Sequence, residues 1–88
     1  MSYIYTDLGH IQSGDTVEVT LSKGANVRIM NTANFNNYKS QRQCRFLGGL
    51  AKVSPLRIQV PATGRWHAVV DMQGLVGSTS ASIRVLPR

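Results

Sequence analysis

Nearly every apolar stretch of this chain alternates one apolar residue with one polar residue, and arginine recurs at the polar position. Val27-Arg28-Ile29, Cys44-Arg45-Phe46, Leu56-Arg57-Ile58 and Ile83-Arg84-Val85 show it most clearly. A repeat of two residues is the period of a β-strand, whose side chains point to opposite faces in turn. The apolar set then faces a core and the arginines face away from it. This pattern calls for an all-β domain with a cationic exterior. No stretch sustains a helical period.

The strands follow from the same pattern. Tyr3 to Leu8 is predicted as the first, ended by Gly9 and His10. Thr16 to Leu21 alternates with Val17, Val19 and Leu21 inward. Ser22-Lys23-Gly24 reads as a hairpin loop, with Asn26 to Met30 as the second arm. Gln43 to Leu47 resumes the alternation and Gly48-Gly49 breaks it. Leu56 to Val60 follows, then a turn at Pro61-Ala62-Thr63-Gly64. Arg65 to Met72 is the longest strand, and its Val69-Val70 pair predicts burial on both faces, as in the middle of a sheet. Gln73 to Ser80 is a connection rich in Gly and Ser, and Ser82 to Leu86 is the last strand. About seven short strands between turns predict one small antiparallel β-sandwich, or a partly open barrel, spanning residues 1–88 as a single domain.

One segment breaks the pattern. Asn31 to Arg42 is polar and amide-rich with Phe35 and Tyr38 embedded. Asn and Ser side chains compete with the backbone for hydrogen bonds and favour turns. The segment is predicted as a long polar loop holding at most one helical turn, and long loops in compact domains are commonly functional.

Lysine and arginine number 10 against 4 acids, giving a formal charge of +6. That excess suits a polyanion or an acidic protein as partner, and equally suits simple solubility. The single cysteine, Cys44, cannot form a disulfide within the chain, which points to a reducing compartment. Residues 1–10 read as a strand rather than a leader peptide, and no apolar run is long enough to cross a bilayer. The expected location is the cytoplasm, without membrane contact.

Candidate chemistry is sparse. Cys44, His67 and Asp71 have the composition of a nucleophile set, but parity separates them. Cys44 shares the inward face with Phe46, while His67 lies opposite Trp66 and Ala68 and so points outward to the surface. His67 and Asp71 share a face of one strand about 13 Å apart, too far for one metal shell. Asp7 and His10 supply two further ligands at most. Gly48-Gly49-Leu50-Ala51-Lys52 lacks the spacing of a phosphate-binding loop. Trp66 has inward parity and reads as a core residue. No catalytic residue, metal or cofactor is expected.

A non-enzymatic binding or interaction module is therefore the leading expectation. Its candidate contact surface is Asn34, Asn36, Asn37, Tyr38 and Arg45, with Phe35 as an apolar anchor. The alternative is a polyanion or nucleic-acid binder using Arg28, Arg45, Arg57 and Arg84, provided their strands are neighbours. Aromatic residues, the usual stacking platforms for single strands, make up only 7% of the chain. The partner is thus a protein or a polyanion, and free sheet edges leave room for a homodimer.

The run Asn26-Val27-Arg28 through Asn34-Phe35-Asn36-Asn37-Tyr38, then Gly48-Gly49-Leu50-Ala51-Lys52, Gly64-Arg65-Trp66-His67 and Val70-Asp71-Met72, resembles a bacterial domain-of-unknown-function family, number eighteen eighty-three. The resemblance covers essentially the whole chain. It implies a compact β-sandwich, found alone or as the N-terminal module of larger proteins that carry a TIR domain. It brings no activity and no site residue. The TIR association implies a module that senses or recruits.

Overall fold

The alternating stretches form strands in the computed structural model, which describes residues 3–87. In chain order the elements are β1 (Tyr3–Ile11), β2 (Thr16–Leu21), β3 (Ala25–Asn31), α1 (Thr32–Lys39), β4 (Leu47–Ala51), β5 (Leu56–Gln59), β6 (Gly64–Asp71) and β7 (Ala81–Leu86). They make two antiparallel sheets, one of order β1-β6-β3-β4 and one of order β5-β2-β7. This is the all-β sandwich of seven strands that the sequence predicts.

The pairing is nested. β1 pairs with β6, β2 with β5 and β3 with β4, so the first six strands are one long antiparallel hairpin folded over on itself. β7 returns beside β2. The folding brings β4 against β5 at one corner and β1 against β7 at the other. These corner contacts bring the two sheets together along their edges without strand pairing between them.

The main core lies between the sheets. Val17, Val19 and Leu21 of β2 face Val27 and Ile29 of β3 and Ala68 and Val70 of β6, and most of these are sealed from solvent. Burying such side chains is worth about 1.5–3 kcal/mol each. Trp66 packs at the margin of this core, as its parity predicts, and its indole N–H donates to the Ala62 carbonyl at 3.0 Å. β6 sits between β1 and β3, and both Val69 and Val70 are buried, on opposite faces. No helix among the described residues is long and apolar enough to cross a membrane.

Four expectations are corrected. The segment from Asn31 is not a loop: residues 32–39 form α1. Asn31 caps it, its Oδ1 accepting the Asn34 amide at 2.9 Å. Phe35 and Tyr38, three residues apart, give the helix one buried face. Next, β2 and β3 do not form a hairpin. They lie in opposite sheets, with their apolar faces stacked across the shared core. The loop between them is held by Ser80 and Thr79 instead. Third, β1 continues past Gly9 and His10 to Ile11, with a bulge between Asp7 and Gly9 that absorbs one extra residue.

Finally, residues 43–46 are not a strand and Gly48-Gly49 does not break one. β4 starts at Leu47 and runs through both glycines. Gly48 has φ +105°, and a Cβ there would come within 2.5 Å of the Val27 carbonyl oxygen. Glycine is what lets β4 lie against β3. Gly49 also has positive φ (+143°), but a Cβ there meets nothing within 4 Å. Gly48→Ala is expected to cost more than about 1 kcal/mol of unfolding free energy, and clearly more than Gly49→Ala. Urea melts of the two variants check this. Equal losses would mean that φ alone, and not the close approach, makes glycine necessary.

Candidate functional site

Register defines the outer face of the four-stranded sheet. Tyr3, Asp71 and Asn26 form one rung across β1, β6 and β3. Tyr5, Val69 and Arg28 form the next, and Asp7, His67 and Met30 the third. Most of these residues are polar, as an outward face predicts. However, α1 lies on this face. Phe35 and Tyr38 pack on Met30 and Val69, with Tyr3 and Cys44 at the margin. Parity is therefore right and exposure is wrong: His67 and Asp71 point away from the core and are still buried, 5% and 2% exposed.

Asp71 is the hub of one end. Its Oδ1 accepts from Asn26 Nδ2 at 2.9 Å and from the Gln73 amide at 3.1 Å. Its Oδ2 accepts from Arg28 Nε at 3.0 Å and from the Tyr38 hydroxyl at 2.8 Å. Burial alone would raise the Asp71 pKa. The hydrogen bonds from Asn26, Tyr38, Gln73 and Arg28 outweigh it and hold the carboxyl below the usual carboxylate range. Burial, and then the Asp71 carboxylate, push the Tyr38 hydroxyl up.

His67 occupies the other end. Its ring packs beside the stacked pair Tyr5 and Phe35, whose centroids are 4.6 Å apart, at 4.9 Å from Phe35 and 5.9 Å from Tyr5. Nδ1 meets the Tyr5 hydroxyl at 2.9 Å and Nε2 the Thr32 hydroxyl at 2.8 Å. Both nitrogens are thus engaged by hydroxyls, and neither meets Cys44 or Asp71. The expectation of a surface histidine is corrected, because α1 roofs it. Burial lowers the His67 pKa, with Arg65 and Lys39 lowering it further against an upward pull from Asp7.

Between the C-terminal end of α1 and the strands lies an open cleft of about 450 Å³. It is lined by Arg28 of β3, by Tyr38 of α1 with Gln41, Arg42, Cys44 and Phe46 of the segment that follows, and by Gln73 after β6. Cys44, expected to point into the main core, lines this cleft half-buried instead, because residues 43–46 leave the strand pattern. The helix end shapes the rim. The Gln41 amide donates to the Tyr38 carbonyl at 3.1 Å and the Arg42 amide to the Asn37 carbonyl at 2.8 Å. That is the Schellman termination, which normally places glycine at the left-handed position. Here the position holds Gln41, at φ 59°.

The sequence-predicted contact residues divide. Tyr38 is buried and serves Asp71. Asn34 is structural too: its Oδ1 accepts the Arg45 amide at 2.8 Å, tying residues 43–46 to the helix. Asn36 and the Arg45 side chain are exposed, and Asn37 is half-exposed. The four arginines of the alternative face are not brought together. Arg28 lies on the outer face of one sheet. Arg57 and Arg84 lie on the other, flanking Glu18 as its cross-strand neighbours. They bond its carboxylate at 2.8 and 2.6 Å, and these bonds, with Arg84 the larger, lower the Glu18 pKa. Arg65 is likewise tied to Asp7. Gln41 and Arg42 belong to the segment Asn31 to Arg42 that the sequence singles out, but Phe46, expected to face the core with Cys44, is instead exposed at the cleft, and Gln73 is not anticipated at all. The signal that could have found the site was the spacing of Phe35 and Tyr38 behind a capping Asn31.

The family described as Domain of unknown function (DUF1883) matches residues 1–88, and the chain belongs to it. Searches of curated proteins and of solved structures returned no match.

Two outcomes follow from the buried polar groups. Asp71→Asn leaves the Arg28 guanidinium without its counter-charge and is expected to cost about 3 kcal/mol. That is the low end for breaking a buried pair, since Arg28 keeps some contact with water. A loss under about 1 kcal/mol in a denaturant melt would contradict the hub role. For His67 the folded pKa lies below the unfolded value of 6.5. Below pH 6.5 the unfolded chain takes up a proton that the folded chain refuses, so stability falls as pH falls. The lowered carboxylates Asp7, Glu18 and Asp71 act only nearer their unfolded values of 3.8 to 4.5. Stability measured from pH 7 to pH 5 should therefore decline, and His67→Gln should flatten that decline. An unchanged slope would refute the assignment to His67.

Proposed function

We propose that this member of the family is a non-enzymatic binding module, and that its contact site is the cleft beside the C-terminal end of α1. The observation that carries the reading is the construction of the cleft. Three separate stretches of chain converge on it, and the Asp71 network beneath fixes Arg28 and Tyr38 before any ligand arrives. Prior fixation lowers the ordering cost of binding. The exposed Asn36 and Arg45 extend the surface around the same helix. The free, half-buried Cys44 fits a reducing compartment such as the cytoplasm.

A broad polyanion face across the sandwich receives less support. Two of its four arginines share Glu18, and the other two sit elsewhere. Neutralised, divided cations give a shallow field.

A fragment library screened by amide-resonance mapping tests the binding reading. Hits should cluster on residues 41–46 and on Arg28 and Gln73. Hits confined to the opposite end, around Gln12, Ser13 and Thr63, would overturn the site. Chemical conversion of a bound fragment would overturn the non-enzymatic reading.

A further inference from the structure

We infer that the cleft beside α1 binds a small monoanion, gripping a carboxylate or phosphate group with the Arg28 guanidinium. The inference rests on the binding reading above and adds the chemistry of the ligand.

Arg28 is held as a receptor rather than as a simple salt-bridge partner. Only its Nε is used within the protein, on Asp71. Its two Nη groups make no hydrogen bond to any described residue. Among the described residues no fully buried side-chain nitrogen lacks a partner, so these Nη groups reach the open space that Arg28 lines. Two aromatic rings contact the guanidinium. Phe46 lies against it, 4.8 Å from ring centroid to Cζ, and Tyr38 lies 5.7 Å away. The side chain is only 18% exposed. A flat, locked fork of N–H donors in a partly dried site matches the two oxygens of a carboxylate or phosphate.

Charge sets the ligand's valence. No aspartate or glutamate lines the cleft, and Arg42 lines it without any ion pair among the described residues. Asp71 neutralises one of the two arginines from below, and both its oxygens are already saturated by four donors. The cleft therefore carries about one uncompensated positive charge, which suits a monoanion. Gln41 and Gln73 offer amide groups for the rest of the ligand.

The helix terminus supports the same reading. A left-handed residue other than glycine costs of the order of 1–2 kcal/mol, and strain of this kind gathers where a side chain is needed. Gln41 holds that position on the rim.

The experiment titrates the intact chain with benzoate, its neutral isostere benzamide, and dimethyl phosphate, followed by amide and arginine side-chain resonances. Benzoate or dimethyl phosphate should shift Arg28, Arg42 and Phe46 saturably, and added salt should weaken the binding. Whichever of the two binds tighter identifies the ligand group as carboxylate or phosphate ester. Arg28→Lys removes the fork and should weaken binding about tenfold or more. Arg42 is exposed and has no ion pair among the described residues, so Arg42→Gln should leave the fold intact and weaken binding about two- to fivefold. Gln41→Gly should raise Tm while weakening binding. If benzamide binds the cleft as tightly as benzoate, the anion inference is overturned and the cleft reading stands. If neither the anions nor neutral fragments shift cleft resonances, the cleft reading falls as well.

Discussion

A carboxylate shut away from water must be surrounded by donors, and Asp71 meets that demand with four. The donors come from β3, from α1 and from the turn after β6. Each bond therefore ties a different piece of chain to the central strand. An unpaired buried charge costs several kcal/mol, so the pieces cannot drift apart independently. The helix stays on the sheet, the outer face of β6 stays dry, and Arg28 stays fixed beside the cleft. His67 repeats the arrangement in neutral form at the other end of the same face, with two hydroxyls and two stacked rings around it.

The acids are few and each described pairing is placed with purpose. Glu18 sits in the middle strand of its sheet with arginine on both neighbours, so one carboxylate spans three strands. Asp7 holds Arg65 across the β1–β6 ladder beside the bulge. Of the cations without an acidic partner among the described residues, Lys39, Arg42 and Arg45 lie around α1, while Lys23 and Lys52 lie in loops away from it. The positive charge of the chain is thus sorted by its own carboxylates. The sheet faces are largely balanced and the helix end is left cationic, next to the cleft.

How much of this could be read in advance depends on the range of the interaction. Alternation in β2, β5 and β7 marked strands and inward residues correctly, because a period of two is local and short. It also gave the side of the sheet for His67, Asp71 and Arg28. It failed at Gly48, where the requirement comes from the carbonyl of a neighbouring strand, 21 residues earlier in the chain. It failed at α1 because four asparagines obscure a helix whose stability comes from Phe35 and Tyr38 docking on a sheet surface.

The sequence by itself settled the class of fold, the number of strands and, outside residues 43–46, most of the side chains that face the intersheet core, since these follow from backbone geometry and the placement of apolar groups along a few residues. Only the tertiary structure decided which strands meet, that a helix covers the polar side of β6, and that Asp71, Arg28, Tyr38 and Gln73 come together. Those are contacts between residues far apart in the chain. Their free energy depends on water being excluded from a shared space, and no local pattern records that exclusion.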